Sequence, residues 1–128
     1  MKIDKKKLAY LCVGACVTTT CFPAIQVDAA GVSTPSLNVG DQNTATGNYV
    51  ATIGYKNKAT GENSIVIGDN SQATGASSVA MGSEAKALAK NSFALGTKTT
   101  ANGVSSVAFG NGTSTAAGAT GATALETT

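Results

Sequence analysis

The pattern of apolar and polar residues repeats every fourteen positions over most of the chain. Each repeat contains a short apolar run that ends in a glycine, as in residues 63–68 (NSIVIG). The copies of this glycine, called the marker glycines below, are Gly40, Gly54, Gly68, Gly82, Gly96 and Gly110. A fixed period of this length predicts a stack of identical supersecondary units.

A second column of very small residues divides each repeat into two halves. It lies seven positions after the marker glycine and comprises Gly47, Gly61, Gly75, Ala89, Gly103 and Ala117. Glycine allows tight turns and positive φ at little steric cost. The two columns therefore predict two chain reversals in each repeat.

Two apolar columns before the marker glycine predict the core. The positions one and three residues before it share one face of a strand, because side chains alternate with a period of two. This predicted core ladder comprises Leu37, Val39, Ala51, Ile53, Ile65, Ile67, Val79, Met81, Phe93, Leu95, Val107 and Phe109. An opposing, thinner inward column lies five residues after the glycine and comprises Ala45, Ala59, Ala73, Ala87, Ala101 and Thr115. These columns together predict a narrow, flattened coil, with successive coils stacked parallel and in register.

A third column lies two residues before the marker glycine, between the two columns of the predicted core ladder. It must face outward if the core ladder faces inward. It becomes small and apolar along the chain, as Val66, Ala80, Ala94 and Ala108 show. Exposed contiguous apolar surface usually marks an interface, and symmetric self-association is the default for such a seam. We therefore predict that these four residues form a seam between copies of the chain, with inert surface alanine as the alternative.

The first thirty residues have the anatomy of a secretory signal. A lysine-rich start precedes an apolar run of about fifteen residues, shorter than the roughly twenty that a membrane-spanning helix needs. We predict a signal peptide over residues 1–29, cleavage between Ala29 and Ala30, and a lead-in over 30–35. The mature chain then has no membrane segment and no cysteine. The alternative is a lipoprotein signal with Cys16 as the lipidated residue.

Composition argues against catalysis and nucleic-acid binding. The chain has neither histidine nor arginine, which removes the commonest general base and metal ligand. We predict no catalytic residue, no cofactor and no metal site, so the chain is not expected to be an enzyme. After residue 30 the charges balance and leave no basic face for a nucleic acid: Lys56, Lys58, Lys86, Lys90 and Lys98 stand against Asp41, Glu62, Asp69, Glu84 and Glu126.

Other repeat classes fit the sequence less well. A hexapeptide-repeat acyltransferase needs a six-residue period and usually a catalytic histidine, and a calcium-binding roll needs Asp-rich GGxGxD turns. An ice-binding solenoid needs a ladder of Thr-x-Thr, which Thr44 and Thr46 form but later repeats do not.

The repeats NSIVIGDNSQATG, SSVAMGSEAKALA and KNSFALGTKTTANG resemble the head repeats of YadA-like trimeric autotransporter adhesins, over residues 36–117. The resemblance implies an all-β fold, a left-handed parallel β-roll (β-solenoid) of about six 14-residue coils, with three chains side by side as a homotrimer. It also implies a head exposed at the outer-membrane surface, with a role in cell adhesion and virulence. The implied partners are the chain itself and host extracellular matrix such as collagen, or host cell surfaces.

The resemblance also suggests a candidate matrix-binding motif, formed by Asn63 and Ser64 in one repeat and by Asn91 and Ser92 in another. The competing interpretation is that these side chains close the turn before the strand by hydrogen bonds to the backbone. A structural spacer or surface-layer repeat without a ligand is the alternative function.

The end of the chain departs from the family pattern. The stalk and membrane anchor of the family have no counterpart up to Thr128, which predicts either a truncated reading frame or a secreted head. The repeat also weakens after Gly110, so residues 118–128 are expected to fray.

Overall fold

The computed structural model describes residues 25–27 and 36–126, and this part of the chain is built from strands and turns without a helix. Long strands of five residues alternate with short strands of two residues along the repeats. The strands are β1 (Ile25–Val27), β2 (Leu37–Asp41), β3 (Thr44–Ala45), β4 (Ala51–Tyr55), β5 (Lys58–Ala59), β6 (Ile65–Asp69), β7 (Gln72–Ala73), β8 (Val79–Ser83), β9 (Lys86–Ala87), β10 (Phe93–Thr97), β11 (Thr100–Ala101), β12 (Val107–Asn111), β13 (Ser114–Thr115) and β14 (Thr123–Leu125).

The strands form two sheets that wind around a common interior. One sheet has the order β1-β2-β4-β6-β8-β10-β12-β14, and is called the long-strand sheet; the other has the order β13-β11-β9-β7-β5-β3, and is called the short-strand sheet. Apart from β1, which pairs antiparallel with β2, the neighbours are parallel and join equivalent residues of successive coils, such as Gly68 and Gly82. The predicted parallel, in-register solenoid of about six coils is confirmed.

The interior of the coil is filled by small side chains. The alanine column is completely buried at Ala59, Ala73, Ala87 and Ala101, as predicted. On the opposite sheet, the buried column is the one that was predicted to face outward. Val66, Ala80, Ala94 and Ala108 have no exposed surface. The prediction that these four residues form an intermolecular seam is therefore wrong.

The predicted core ladder lies on the outer surface of the long-strand sheet. Ile53, Ile65 and Phe109 are 37%, 39% and 49% exposed. The other members named as core are only partly buried: Ile67, Val79, Met81, Phe93, Leu95 and Val107. The prediction failed because a period of two defines two faces without saying which is inside, so a wrong choice inverts every side chain. The two sheets lie so close together that mostly alanine, serine and threonine fit between them.

Glycine is required where successive coils approach each other. Gly68 lies inside β6 rather than after it, with a φ of +141°. A methyl group there would overlap the backbone carbonyl of Gly82 in the next coil. At the other reversal, a methyl group on Gly61 would overlap the carbonyl of Gly75, although the φ of Gly61 is not positive. Backbone contact between coils thus explains the marker glycines and the glycines of the second column, in which Ala89 and Ala117 also occur.

Residues other than glycine also adopt the left-handed conformation at both reversals. They have φ between 52° and 57° and comprise Gln42, Tyr49, Lys56, Asn63, Asn70, Ser77, Glu84, Asn91, Lys98 and Ser105. From Lys56 onward, their N–H groups bond to the preceding coil; for example, Glu84 donates to the carbonyl of Asp69 at 2.9 Å. These bonds continue the coil-to-coil pairing around the turns, where the sheets are interrupted.

The coil continues beyond the regular repeats. Strand β14 pairs with β12 so that Ala124 lies beside Ala108, which makes this last coil sixteen residues long. Glu126 takes the place of the marker glycine, and its N–H donates to the carbonyl of Phe109 at 3.0 Å. The expectation of fraying is wrong for 123–125, because two additional residues restore the register. Residues 127–128 lie outside the described residues.

The predicted signal peptide and its cleavage position at Ala29 and Ala30 fall almost entirely outside the described residues and stay predictions. In the described part of the chain, no helix has the length and apolar character needed to cross a membrane.

Candidate functional site

The most prominent surface feature is an apolar face on the outer side of the long-strand sheet. Each long strand contributes the side chains one and three residues before the marker glycine, as Ile65 and Ile67 do in β6. We call this surface the outward apolar face. It comprises Leu37, Val39, Ala51, Ile53, Ile65, Ile67, Val79, Met81, Phe93, Leu95, Val107 and Phe109, and Leu125 extends it into the last coil.

In-register pairing makes the outward apolar face continuous. Ile65 lies beside Val79, and Ile67 lies beside Met81, with the same relationship in the neighbouring coils. Because adjacent strands are about 4.8 Å apart, six layers give two parallel apolar columns about 29 Å tall. Neither column contains a charged residue. Contiguous apolar surface of this kind is unusual on a soluble monomer and is typical of an interface.

A largely buried column of mainly polar side chains, called the polar ladder, supports the turn beside this face. It lies three residues after the marker glycine, at Asn43, Asn57, Ser71, Ala85, Thr99 and Thr113. Asn57 donates through Nδ2 to the carbonyls of Ile53 at 3.0 Å and Gly68 at 2.7 Å. The side chain therefore joins its own coil to the next one. The sequence reasoning missed this column, although small polar residues at a fixed offset from each glycine were a usable signal.

The polar ladder is interrupted in the middle of the solenoid. Ser71 donates through Oγ to the carbonyl of Gly82 at 2.9 Å and accepts from the N–H of Ala85 at 3.0 Å. Ala85 has no side-chain group with which to continue the chain of bonds. Beyond it, the hydroxyls of Thr99 and Thr113 are buried without a hydrogen-bond partner in the described part of the chain. The first coils are thus joined by more side-chain hydrogen bonds than the later ones.

The candidate matrix-binding residues do not form one surface site. Asn63 and Asn91 are exposed at a reversal, with φ of 54° and 56°. Ser64 and Ser92 are buried, and the hydroxyl of Ser92 donates to the carbonyl of Ala89 at 2.6 Å. The prediction of ligand contact is wrong for the two serines. Of the four side chains, Ser92 makes the hydrogen bond of the turn interpretation, whereas the hydroxyl of Ser64 is buried without a partner among the described residues.

The remaining exposed groups lie mainly at the reversals and on the short-strand sheet. Tyr49 and Tyr55 are exposed aromatic residues at the two reversals. The Nζ of Lys56 lies 5.0 Å from the centre of the Tyr55 ring, a cation–π arrangement. Over residues 25–27 and 36–126, no cluster of three carboxylate or cysteine residues is placed to hold a metal ion.

Comparison with known protein families identifies the type of repeat that forms the regular coils. Residues 53–113 match the YadA head domain repeat, in overlapping segments over 53–71, 59–85, 73–99 and 87–113. This part of the chain belongs to the YadA head repeat family. The YadA head repeats extend from β4 to the residue before β13 and so contain most of the outward apolar face. Repeats of this family are parts of adhesin-type trimeric autotransporters. A search of curated proteins found no match to the chain.

Proposed function

We propose that the chain forms a homotrimeric adhesin head, in which three copies bury their outward apolar faces against one another. The carrying observation is that a segment matching YadA head repeats presents two uninterrupted apolar columns to solvent in the single chain. Closed symmetric assembly covers such a surface without leaving an open end. The predicted self-association is retained, but its seam moves from Val66 and Ala80 to the residues on either side of them.

The register of the solenoid makes this assembly specific. In a threefold arrangement, equivalent coils lie at the same height, so Ile67 of each copy faces Ile67 of the others. The same applies to Met81 in the next layer. Each layer therefore packs side chains of matching size, and burial of each apolar side chain contributes on the order of 1.5–3 kcal/mol before the cost of association.

Light scattering tests the assembly. The chain without its predicted signal segment, residues 30–128, is expected to have three times the mass of one copy. Ile67→Asp places a charge in the seam and is expected to reduce the mass to that of a single chain. Lys58→Asp, on the short-strand sheet, is the matched control and is expected to leave the mass unchanged. A stable monomer of the unsubstituted chain at micromolar concentration contradicts the proposal.

Adhesion belongs to the surfaces that remain accessible after assembly. These are the two reversals and the outer side of the short-strand sheet, where the exposed Tyr49, Tyr55 and lysine side chains lie. Each copy presents these groups in regularly spaced coils, and a trimer multiplies them by three. Weak contacts become effective when several bind together. The proposed ligands are host extracellular matrix proteins such as collagen, or host cell surfaces.

Solid-phase binding to collagens, fibronectin and laminin tests adhesion separately from assembly. Saturable binding by the trimer, reduced in the Ile67→Asp variant, supports a multivalent adhesin. A trimer that binds none of these proteins supports the second candidate, a structural spacer or surface-layer repeat. The regularity of the fold favours that candidate, since coil stacking alone explains the repeated glycines and alanines.

We further propose that the protein is exported and reaches the cell surface or the medium, through a signal over residues 1–29. Cleavage between Ala29 and Ala30 would remove β1 and free the edge of β2, which β1 pairs with. N-terminal analysis of the exported protein tests this. A chain that begins at Ala30 supports the proposal, whereas a lipid-modified Cys16 at the N-terminus supports the lipoprotein alternative.

A further inference from the structure

One short motif is not explained by the repeat. Residues 111–113 (NGT) form an Asn-x-Thr sequence, and no other asparagine of the chain has Ser or Thr two positions later. Asparagine in this context is an acceptor for N-linked sugars in exported proteins. The motif by itself is a weak signal, so the surroundings of Asn111 decide whether it could carry a sugar.

Asn111 presents a free carboxamide at the surface. It is the last residue of β12 and is exposed. Its backbone is held in place, because its N–H donates to Oε2 of Glu126 at 2.6 Å. Its side-chain amide makes no hydrogen bond within the described part of the chain. Attaching a group there would break no contact that the fold uses.

The residue after Asn111 leaves room for a bulky substituent. Gly112 has a φ of +70°, and a methyl group built on it would meet no atom within 4 Å. This is unlike Gly68, where the next coil leaves no space for a methyl group. The reversal at Gly112 therefore projects into solvent. Asn111 stands at the end of β12, two residues beyond Phe109, and is not itself one of the residues of the outward apolar face.

The third residue of the motif constrains when the reaction occurs. The hydroxyl of Thr113 is buried and has no hydrogen-bond partner among the described residues. The Asn-x-Thr pattern depends on this hydroxyl, which a transferase could not reach in the closed coil. Modification therefore precedes closure of this coil, and the folded coil then holds the sugar outside.

We propose that Asn111 is an N-glycosylation site whose donor is a diphosphate-activated sugar. The amide nitrogen of Asn111 attacks C1 of the sugar, and a nitrogen–C1 bond forms. The bond between C1 and the diphosphate oxygen breaks, the diphosphate leaves with its electron pair, and the nitrogen loses one proton to a base of the transferase. The donor is either a nucleotide-linked sugar or a lipid-linked sugar, and both have this chemistry.

Mass spectrometry of the full-length gene product from its source organism tests the site. Trypsin releases residues 99–128 as one peptide, because no lysine or arginine follows Lys98. Fragmentation of this peptide is expected to place one or more sugar residues on Asn111. An unmodified Asn111, or one that shows only the small mass gain of deamidation at the Asn-Gly bond, overturns the proposal.

Substitutions test whether the modification depends on the Asn-x-Thr motif or only on the exposure of an asparagine side chain. Asn111→Gln and Thr113→Ala are each expected to abolish the modification, whereas Thr113→Ser is expected to retain it. Asn102→Gln, in the same peptide but outside the motif, is the control and is expected to change nothing. Modification that persists at position 111 in the Thr113→Ala variant contradicts recognition of the motif.

A signal variant distinguishes the two donors. Leu11→Arg interrupts the apolar run of the predicted signal and is expected to hold the chain in the cytoplasm. Sugar retained on this variant indicates a nucleotide-linked donor, and sugar lost indicates a lipid-linked donor used during export. The proposal does not depend on trimer formation or matrix binding. An unmodified Asn111 in a trimeric, matrix-binding protein overturns only the glycosylation site.

Discussion

The side-chain oxygen of Asn57 accepts a hydrogen bond from the backbone N–H of Ser71, the equivalent residue of the next coil, at 3.0 Å. The same carboxamide donates to backbone carbonyls in both coils. Asn57 is almost completely buried, so all of its hydrogen-bonding groups depend on these partners. Side chains therefore reinforce the stack at the turn, where the two sheets are interrupted.

Replacing this side chain tests the contribution of the buried ladder. Asn57→Ala leaves the N–H of Ser71 and the carbonyl of Gly68 without their side-chain partner. We expect the free energy of unfolding to fall by about 2–3 kcal/mol, since buried polar groups left unpaired cost about 1–3 kcal/mol. Chemical denaturation at equal protein concentration measures this. Asn48→Ala, at an exposed turn, is the control and should change stability by less than about 0.5 kcal/mol. Equal effects of the two substitutions would contradict the ladder.

The interruption of the ladder at Ala85 predicts a stabilising substitution. Ala85→Ser would place a hydroxyl where Ser71 already makes two hydrogen bonds in the preceding coil. It would donate to the carbonyl of Gly96 and accept from the N–H of Thr99. We expect a gain of about 0.5–1 kcal/mol in the free energy of unfolding. Ala80→Ser, which buries a hydroxyl away from the ladder, is expected to be destabilising. If both variants are equally destabilised, a serine at position 85 does not form the hydrogen bonds that continue the ladder.

Two glycines with positive φ are expected to respond differently to alanine. Gly68→Ala would force the added methyl group into the carbonyl of Gly82, so the coils must separate. We expect this variant to lose more than about 3 kcal/mol or to fail to fold. Gly112→Ala meets no neighbouring atom and should cost only about 1–2 kcal/mol for its left-handed conformation. Thermal unfolding followed by circular dichroism compares the stability of the two variants. Similar melting temperatures would show that close contact between coils is not the reason for glycine at position 68.

Substitutions at adjacent residues test which face of the long strand is inside. Ala80 has no exposed surface, whereas its neighbour Val79 is only partly buried on the outward apolar face. Ala80→Leu overfills the narrow interior and is expected to cost about 3 kcal/mol. Val79→Leu keeps an apolar group on the outer face and is expected to cost less than about 1.5 kcal/mol. Equilibrium unfolding of both variants measures the difference in the free energy of unfolding. A larger loss for Val79→Leu than for Ala80→Leu would indicate that Val79, not Ala80, faces the interior.

The predicted stacking of the coils was correct because its causes lie in local spacing. Gly68 and Gly82 are paired because every coil has the same length, and each marker glycine is needed where the next backbone approaches. The alanine column was placed correctly for a similar reason, since five alanines followed by one threonine can fill only a narrow interior.

The candidate site was predicted in part. The sequence predicted an outward apolar surface at Val66 and Ala80, but these residues are buried, and Ile65 and Ile67 lie on the outward apolar face instead. Hydrophobicity alone favours the larger residues for the interior, and this preference was misleading here. Ser64 and Ser92 were expected near a ligand, yet both are buried in the coil, where the hydroxyl of Ser92 closes a turn and that of Ser64 has no hydrogen-bond partner among the described residues. The ladder through Asn57 was missed although its residues recur three positions after each marker glycine, because the spacing does not show that their side chains turn inward and bond to the next coil.

The sequence by itself determined the period, the parallel register and the family, because these depend only on which residue types recur and how far apart they are. Only the tertiary structure decided which face of each long strand is inside. That choice depends on the distance between the two sheets, which leaves room for Ala80 but not for Met81. The larger apolar side chains are therefore left on the outside, where a single chain cannot bury them.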